Sequence, residues 1–158
     1  MKKVYAGRSG RYRRAIPIDG RSTMELKGDK GQSLVIERSG FGEPGTLADR
    51  DLLLNVTVKI RGYSAADHAW VVANDWCEFL SELRALERLR KGHATLHGAS
   101  PRNLELTIKA TDHAGHMAVS GFLGRDTPDG FAQKLEFGFA FDAGMLPTVV
   151  RELEGLGQ

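Results

Sequence analysis

The sequence of 158 residues contains one cysteine, Cys77, and no apolar run long enough to cross a bilayer. A single thiol cannot form an intrachain disulfide, and a membrane-spanning helix needs about 20 predominantly apolar residues. The basic start, from Met1 to Arg8, is not followed by the apolar segment of a secretory signal. We therefore expect a cytoplasmic protein without membrane association, stabilised by a hydrophobic core that a chain of this length can form.

The motifs of common catalytic and cofactor sites are also missing. No glycine-rich segment precedes a Lys-Ser or Lys-Thr pair, as a phosphate-binding loop requires, and no Gly-x-Ser-x-Gly surrounds a serine. Ser120 lies in an ordinary strand pattern, and Cys77 lacks the flanking residues of catalytic cysteines. Carboxylates are scattered without a spacing that would pair them. The sequence therefore predicts no catalytic residue and no cofactor, and it favours binding over catalysis.

Positive charge is concentrated at the N-terminus. Residues 1–21 contain seven Lys or Arg and one acidic residue, Asp19, whereas residues 22–158 contain 15 basic and 19 acidic residues. The formal net charge of +2 therefore combines a basic segment with an acidic remainder. We interpret residues 1–21 as a flexible tail that folding does not require, and residues 22–158 as a single α+β domain. The alternative is that the tail binds nucleic acid, with Tyr5 and Tyr12 as stacking groups.

One segment, residues 74–91, has the pattern of an amphipathic helix over its whole length. Asp75 and Glu78 have the spacing of a capping box, in which each side chain accepts a hydrogen bond from a backbone N–H of the first turn. Gly92 follows as the expected C-terminal stop. Apolar side chains recur every three or four residues and must pack against another apolar surface. These residues are Trp76, Phe79, Leu80, Leu83 and Leu86.

Much of the remaining chain alternates apolar and polar residues, which is the pattern of β-strands with one buried face. The predicted strands are residues 15–18, 33–38, 52–63, 69–73, 93–97, 104–110, 116–123 and 132–141. The glycine-rich segment 39–45 is predicted to be a loop, and residues 146–156 a second helix with Pro147 in its first turn. These elements predict an α+β fold. We expect an antiparallel β-sheet of about six or seven strands that ends in a C-terminal meander, with the long helix and the C-terminal helix packed on one face.

The second half of the sequence resembles a known family. The segments that carry the resemblance are Gly-His-Ala-Thr-Leu-His-Gly at 92–98, Asn-Leu-Glu-Leu-Thr-Ile at 103–108, Asp-His-Ala-Gly-His-Met-Ala-Val at 112–119 and Leu-Glu-Phe-Gly-Phe-Ala-Phe-Asp-Ala-Gly-Met-Leu-Pro at 135–147. Together with the preceding helix, they resemble small bacterial domains of unknown function grouped with WapI-type immunity proteins. The resemblance covers about residues 52–156. It implies a non-enzymatic protein that binds a toxin or another protein, and it implies no catalytic residues.

Four histidines are the strongest candidates for metal chemistry. His93 and His97 lie on the same face of one predicted strand, about 13 Å apart at ~3.3 Å per residue, so they cannot bind one metal ion together. His113, His116 and Asp112 lie in a predicted turn, and with one strand histidine they would supply a tetrahedral zinc site. We favour the alternative interpretation, a tight turn with solvated side chains, and predict no metal.

The predicted sheet has one face without helices, and we place the partner-binding surface on that face. Small side chains on its last two strands form a strip where a partner's loop, or a second copy of the chain, can approach the backbone closely. Two polar residues on the neighbouring strand lie beside this strip. The residues of the predicted surface are Ala118, Ser120, Gly138, Ala140, Glu105 and Thr107.

We therefore predict a non-enzymatic protein-binding domain whose partner is a toxin, another protein or a second copy of the chain in a homodimer. Two alternatives remain open. The chain would be a small-molecule-binding protein or enzyme if a deep, polar cavity lay between helix and sheet. It would be a nucleic-acid binder if its affinity for DNA or RNA fell steeply with salt, as binding through the basic tail requires.

Overall fold

The computed structural model describes residues 15–16 and 22–158, which form two antiparallel sheets and two α-helices. The strands are β1 (Ala15–Ile16), β2 (Thr23–Lys27), β3 (Ser33–Gly42), β4 (Leu52–Ile60), β5 (Tyr63–Val71), β6 (His93–His97), β7 (Leu104–Ala110), β8 (Met117–Asp126) and β9 (Ala132–Phe141). The helices are α1 (Ala73–Leu89) and α2 (Leu146–Leu156), and a 3-10 turn at Ala143–Met145 leads into α2. Neither α-helix is long and apolar enough to cross a membrane.

Each sheet is built from consecutive parts of the chain. Sheet 1 has the order β1-β3-β4-β5, and β1 and β2 pair with opposite ends of β3. Sheet 2 is the meander β6-β7-β8-β9. The predicted α+β class and C-terminal meander are confirmed. The strands are divided between two sheets, and α1 connects the last strand of sheet 1 to the meander.

The order of four strands followed by a helix occurs twice, although the sequence shows no repeat. Strands β2 to β5 lead into α1, and strands β6 to β9 lead into α2. Each helix packs on the first strand of the other half, since α1 contacts β6 and α2 contacts β2. The helices also contact each other, and Arg84 Nε donates a hydrogen bond to Glu154 Oε1 over 2.5 Å. Each half therefore depends on the other to cover its apolar face.

Two backbone hydrogen bonds join the halves in a matching way. In the β2–β3 turn, the Asp29 N–H donates to the Ala140 carbonyl oxygen near the end of β9 over 3.2 Å. In the β6–β7 turn, the Ala99 N–H donates to the Trp70 carbonyl oxygen near the end of β5 over 2.7 Å. The first hairpin of each half thus covers part of the edge of the other half's last strand. Covered edges protect sheets from pairing with other chains.

The hydrophobic core is formed by the inner faces of both sheets and by both helices. The apolar stripe predicted on α1 lies in this core, and Phe79 is 0% exposed. The ring centroids of Phe79 and Trp76 lie 5.9 Å apart with the planes tilted by 47°, within the range that aromatic pairs favour. Phe137, Phe139 and Phe141 alternate along β9 and are buried in the same core.

The N-terminus of α1 differs from the sequence prediction. The helix begins at Ala73, with Val72 at the N-cap position, and the predicted capping box of Asp75 and Glu78 does not form. Asp51, in the loop before β4, supplies the cap because its Oδ1 accepts a hydrogen bond from the Ala73 N–H over 2.8 Å. Asp51 is 2% exposed. It lies 22 residues before the N–H that it binds, so local spacing does not identify it.

Several strand boundaries also differ from the predicted ones. Residues 69–71 are the end of β5, which begins at Tyr63, and the chain enters α1 directly afterwards. Strand β3 continues into the predicted loop 39–45 after a register shift between Arg38 and Gly40. Strand β2 is not expected from the sequence, because its alternation rests on only two apolar residues.

Most of the predicted basic tail lies outside the described residues. Within residues 1–21, the structure describes Ala15 and Ile16, which pair with Gly42 and Phe41. This pair is part of the edge strand predicted at 15–18. The dispensability of the tail for folding and the proposed nucleic-acid contact stay predictions.

We expect Phe79→Ala to lower the free energy of unfolding by about 3–5 kcal/mol, because loss of the ring leaves a cavity in the core. Urea unfolding followed by circular dichroism measures this quantity. The neighbouring exposed substitution Glu78→Ala serves as the control and should change it by no more than about 0.5 kcal/mol. A loss below about 1 kcal/mol for Phe79→Ala would contradict the packing of α1 described above.

The cap of α1 is tested by comparing two aspartates. Asp51→Ala should cost about 1–2 kcal/mol, because it removes the side chain that accepts the hydrogen bond from the Ala73 N–H. Asp75→Ala should cost at most about 0.5 kcal/mol, because Asp75 is exposed and its charge in the first turn of α1 interacts weakly with the helix dipole. Urea unfolding of both variants makes the comparison. An equal or larger loss for Asp75→Ala would show that the capping box is used after all.

Candidate partner-binding surface

Sheet 2 has one face in the core and one face open to solvent, because burial alternates along its strands. Its register places Ala118 opposite Ala140 and Ser120 opposite Gly138. The four small residues of the predicted surface therefore lie together on the open face, and we call them the strip. Gly138 and Ala140 are exposed, whereas Ala118 and Ser120 are half-buried.

The two polar residues predicted beside the strip extend it across β7. Thr107 lies opposite Ser120, and its Oγ1 lies 3.0 Å from Thr95 Oγ1 on β6. Glu105 lies two residues earlier on β7, with its Oε2 3.6 Å from His97 Nδ1. These side chains form a polar margin on one side of the strip.

A charged margin bounds the strip further along β8 and β9. Lys134 Nζ lies 4.2 Å from the centroid of the Phe122 ring and 2.6 Å from Glu136 Oε1. The hydrogen bond from Lys134, together with its positive charge, lowers the pKa of the Glu136 carboxyl from its usual value. The open face thus has small residues at its centre and polar groups around them, and a polar rim is typical of protein interfaces.

Packing within the chain does not require glycine at position 138. A Cβ added to Gly138 would lie 3.5 Å from the Ser120 Cβ, which is an ordinary contact. By contrast, a Cβ added to Gly121 on the same sheet would lie 2.0 Å from the Glu105 carbonyl oxygen. The fold therefore explains the glycine at 121 but leaves the small residue at 138 free to serve contact with a partner.

A groove of about 1210 Å³ lies between the outward face of sheet 1 and the β8–β9 hairpin. Glu37, Asn55 and His68 lie in one row across β3, β4 and β5 and line the sheet side. Arg125 and Lys134 line the hairpin side. Sequence patterns do not predict this groove, because it depends on the position of one sheet relative to the other.

An ion pair holds the β8–β9 hairpin against sheet 1. Arg125 on β8 donates from Nε to Asp67 Oδ2 over 2.7 Å and from Nη2 to Asp67 Oδ1. The side chain of Asp67, on β5, is 14% exposed. Two parallel hydrogen bonds between a guanidinium and a carboxylate restrict both distance and orientation. The pair therefore fixes one wall of the groove.

A smaller cavity of about 450 Å³ lies beside the C-terminus, where Phe41, Pro44 and Gln158 are among its lining residues. Neither this cavity nor the groove is lined by a residue of α1 or α2. The small-molecule hypothesis requires a pocket between helix and sheet. These two cavities are not such a pocket.

The structure separates the histidines considered as zinc ligands. His93 and His97 lie at the two ends of β6, whereas His113 and His116 lie in the turn between β7 and β8. In that turn, Asp112 Oδ2 lies 2.5 Å from His116 Nδ1. Over the described residues, no group of three or more His, Cys, Asp or Glu side chains is arranged to hold a metal ion.

The Asp112–His116 contact predicts a pH-dependent signal. The hydrogen bond and charge of the Asp112 carboxylate raise the pKa of His116 above 6.5, and the bond to His116 lowers the pKa of Asp112 below 3.8. The stability that the folded chain gains from the raised pKa of His116 is therefore present below pH 6.5 and is lost as the pH rises through the raised pKa. Stabilisation linked to Asp112 is present above pH 3.8 and is lost as the pH falls through the lowered pKa.

We expect NMR titration of the His116 ring protons to show the raised pKa and Asp112→Asn to return it towards 6.5. His113, in the same turn, serves as an internal control for the effect of the substitution. A His116 pKa that is unchanged by Asp112→Asn would contradict the contact.

Among solved structures, the chain is similar to one from "Crystal structures of trypanosoma bruciei MRP1/MRP2", with 14% sequence identity and a TM-score of 0.47. That similarity covers 88% of this chain and 84% of the other chain, and at this level it supports no conclusion. No curated protein matches the chain. The model of the immunity protein WapI-like family matches residues 25–157, which confirms the resemblance and extends it to β2 and β3. The chain therefore belongs to the immunity protein WapI-like family.

Proposed function

We propose that this chain is an immunity protein that binds a protein toxin through the strip on sheet 2 and its polar margins. Membership of the family indicates an immunity-type protein-binding role. To this role we add two points: the partner is a toxin, and the strip is the interface. The observation that supports the interface is the group of four small residues that lie side by side on an open sheet face.

The strip is suited to docking because it is both accessible and rigid. Strands β8 and β9 pair over their full length, from Met117 opposite Phe141 to Asp126 opposite Ala132. A preformed surface loses little conformational entropy when a partner binds. Small side chains let the partner approach the backbone, and the polar margins supply hydrogen-bonding groups around the contact.

Ala140→Arg should raise the Kd for the toxin by at least about 30-fold, because a long charged side chain blocks the strip. Its melting temperature should stay within about 3 °C of the wild type, because Ala140 is exposed. The probe is a toxin domain identified among the genes next to this one in the native host, with binding measured by calorimetry. Ser81→Arg adds the same charge on the exposed side of α1 and should change neither quantity.

Unchanged toxin binding by a folded Ala140→Arg variant would contradict the proposed interface. If that variant does not fold, Gly138→Gln provides the same test, since a Cβ at 138 meets only ordinary contacts. A second copy of the chain is the competing occupant of the strip. A wild-type dimer that Ala140→Arg converts to a monomer, with no toxin binding by either, would overturn the toxin proposal.

A further inference from the structure

The groove contains an acidic side chain whose charge is not balanced within the described part of the chain. Asp67 is paired with Arg125, and Lys134 is paired with Glu136. Glu37 has neither an ion pair nor a side-chain hydrogen bond with any residue that the structure describes. An unpaired carboxylate on the wall of a groove attracts a cation.

The neighbours of Glu37 are suited to a cation with several N–H donors. Asn55 lies directly opposite Glu37 on β4, and Thr57 lies two residues further along the same strand. Both also line the groove. The amide oxygen of Asn55 and the hydroxyl oxygen of Thr57 are acceptors. An arginine or lysine side chain placed against Glu37 would therefore meet a carboxylate and further oxygen acceptors on the next strand.

The size and lining of the groove favour a peptide segment over a small molecule. Small-molecule pockets typically enclose about 300–1,000 Å³ and are lined mainly by apolar groups. The groove is larger, at about 1210 Å³, and polar side chains from both sheets line it. An extended segment or loop of a protein matches this shape and offers hydrogen-bonding groups along its length.

We propose that the groove receives an arginine- or lysine-bearing segment of the partner and that the cation binds Glu37. This inference rests on the proposed function, because the segment belongs to the same toxin that docks on the strip. The two surfaces meet at the β8–β9 hairpin. Gly124 and Lys134 pair with each other, line the groove and lie on the same sheet face as Ser120 and Gly138, whereas Arg125 and Gln133 line the groove from the opposite face. A partner segment that passes over this end of the hairpin can therefore reach both surfaces.

Charge reversal at Glu37 tests this assignment. Glu37→Lys should raise the Kd for the toxin domain at least about tenfold, and the isosteric Glu37→Gln should raise it by less. Glu78→Lys, on the exposed surface of α1, makes the same change in net charge and should leave the Kd within about twofold. The effect of Glu37→Lys should shrink at high salt, because salt screens accessible ion pairs.

The outcomes distinguish failure of this inference from failure of the proposed function. If Ala140→Arg weakens toxin binding and Glu37→Lys behaves like Glu78→Lys, the groove assignment is wrong and the proposed function stands. If the wild-type chain does not bind the toxin domain, the proposed function is wrong and the groove loses its assigned partner.

A probe that needs no toxin tests the cation site by itself. Acetyl-Gly-Arg-Gly-amide, titrated into the ¹⁵N-labelled chain, should shift the amide signals of Glu37, Asn55 and His68, and the uncharged citrulline analogue should not. Equal shifts with both peptides, or undiminished shifts in Glu37→Gln, would overturn the cation site. No shift of these three signals in the full chain would also contradict the proposal.

Discussion

The structure depends on an exchange of helices, in which the helix of each half packs on the first strand of the other half. α1 leaves sheet 1 and covers the inner face of β6, while α2 leaves sheet 2 and covers β2. Without this exchange, the apolar inner residues of both first strands would face water, at a cost of about 25 cal/mol for each Å² exposed. The turn hydrogen bonds from Asp29 and Ala99 join the same two halves. Because both helices lie on inner faces, neither helix covers the outer face of a sheet.

Much of the second half can be predicted from the sequence. The predicted strands 93–97, 104–110 and 132–141 coincide with β6, β7 and β9, because each has one face that is apolar over most of its length, which alternation reveals. The cap of α1 cannot be predicted in this way, since Asp51 reaches the helix from 22 residues away. Local sequence patterns also do not reveal that the strands are divided between two sheets. This division follows from the exchange of helices, which depends on contacts between distant parts of the chain.

The strip and the groove also differ in how far the sequence predicts them. The strip follows from alternation within two neighbouring strands, so its four residues can be placed on one face from the sequence once the meander is recognised. The groove depends on the Asp67–Arg125 ion pair between the sheets, which no spacing in the sequence indicates. Family membership supplies a protein-binding role for the chain. The open sheet face and the unpaired Glu37 carboxylate then suggest where that role is carried out and which charge the partner brings.

Cross-saturation NMR tests the central claim most directly, because it reports which amides of the labelled chain lie close to protons of an unlabelled partner. The chain would be deuterated and ¹⁵N-labelled, and a toxin domain identified among the neighbouring genes of the native host would be the saturated partner. We expect the largest intensity losses at Ala118, Ser120, Gly138 and Ala140, and smaller losses across the exposed side of α1. Losses concentrated on α1 or α2, with the strip unaffected, would contradict the claim.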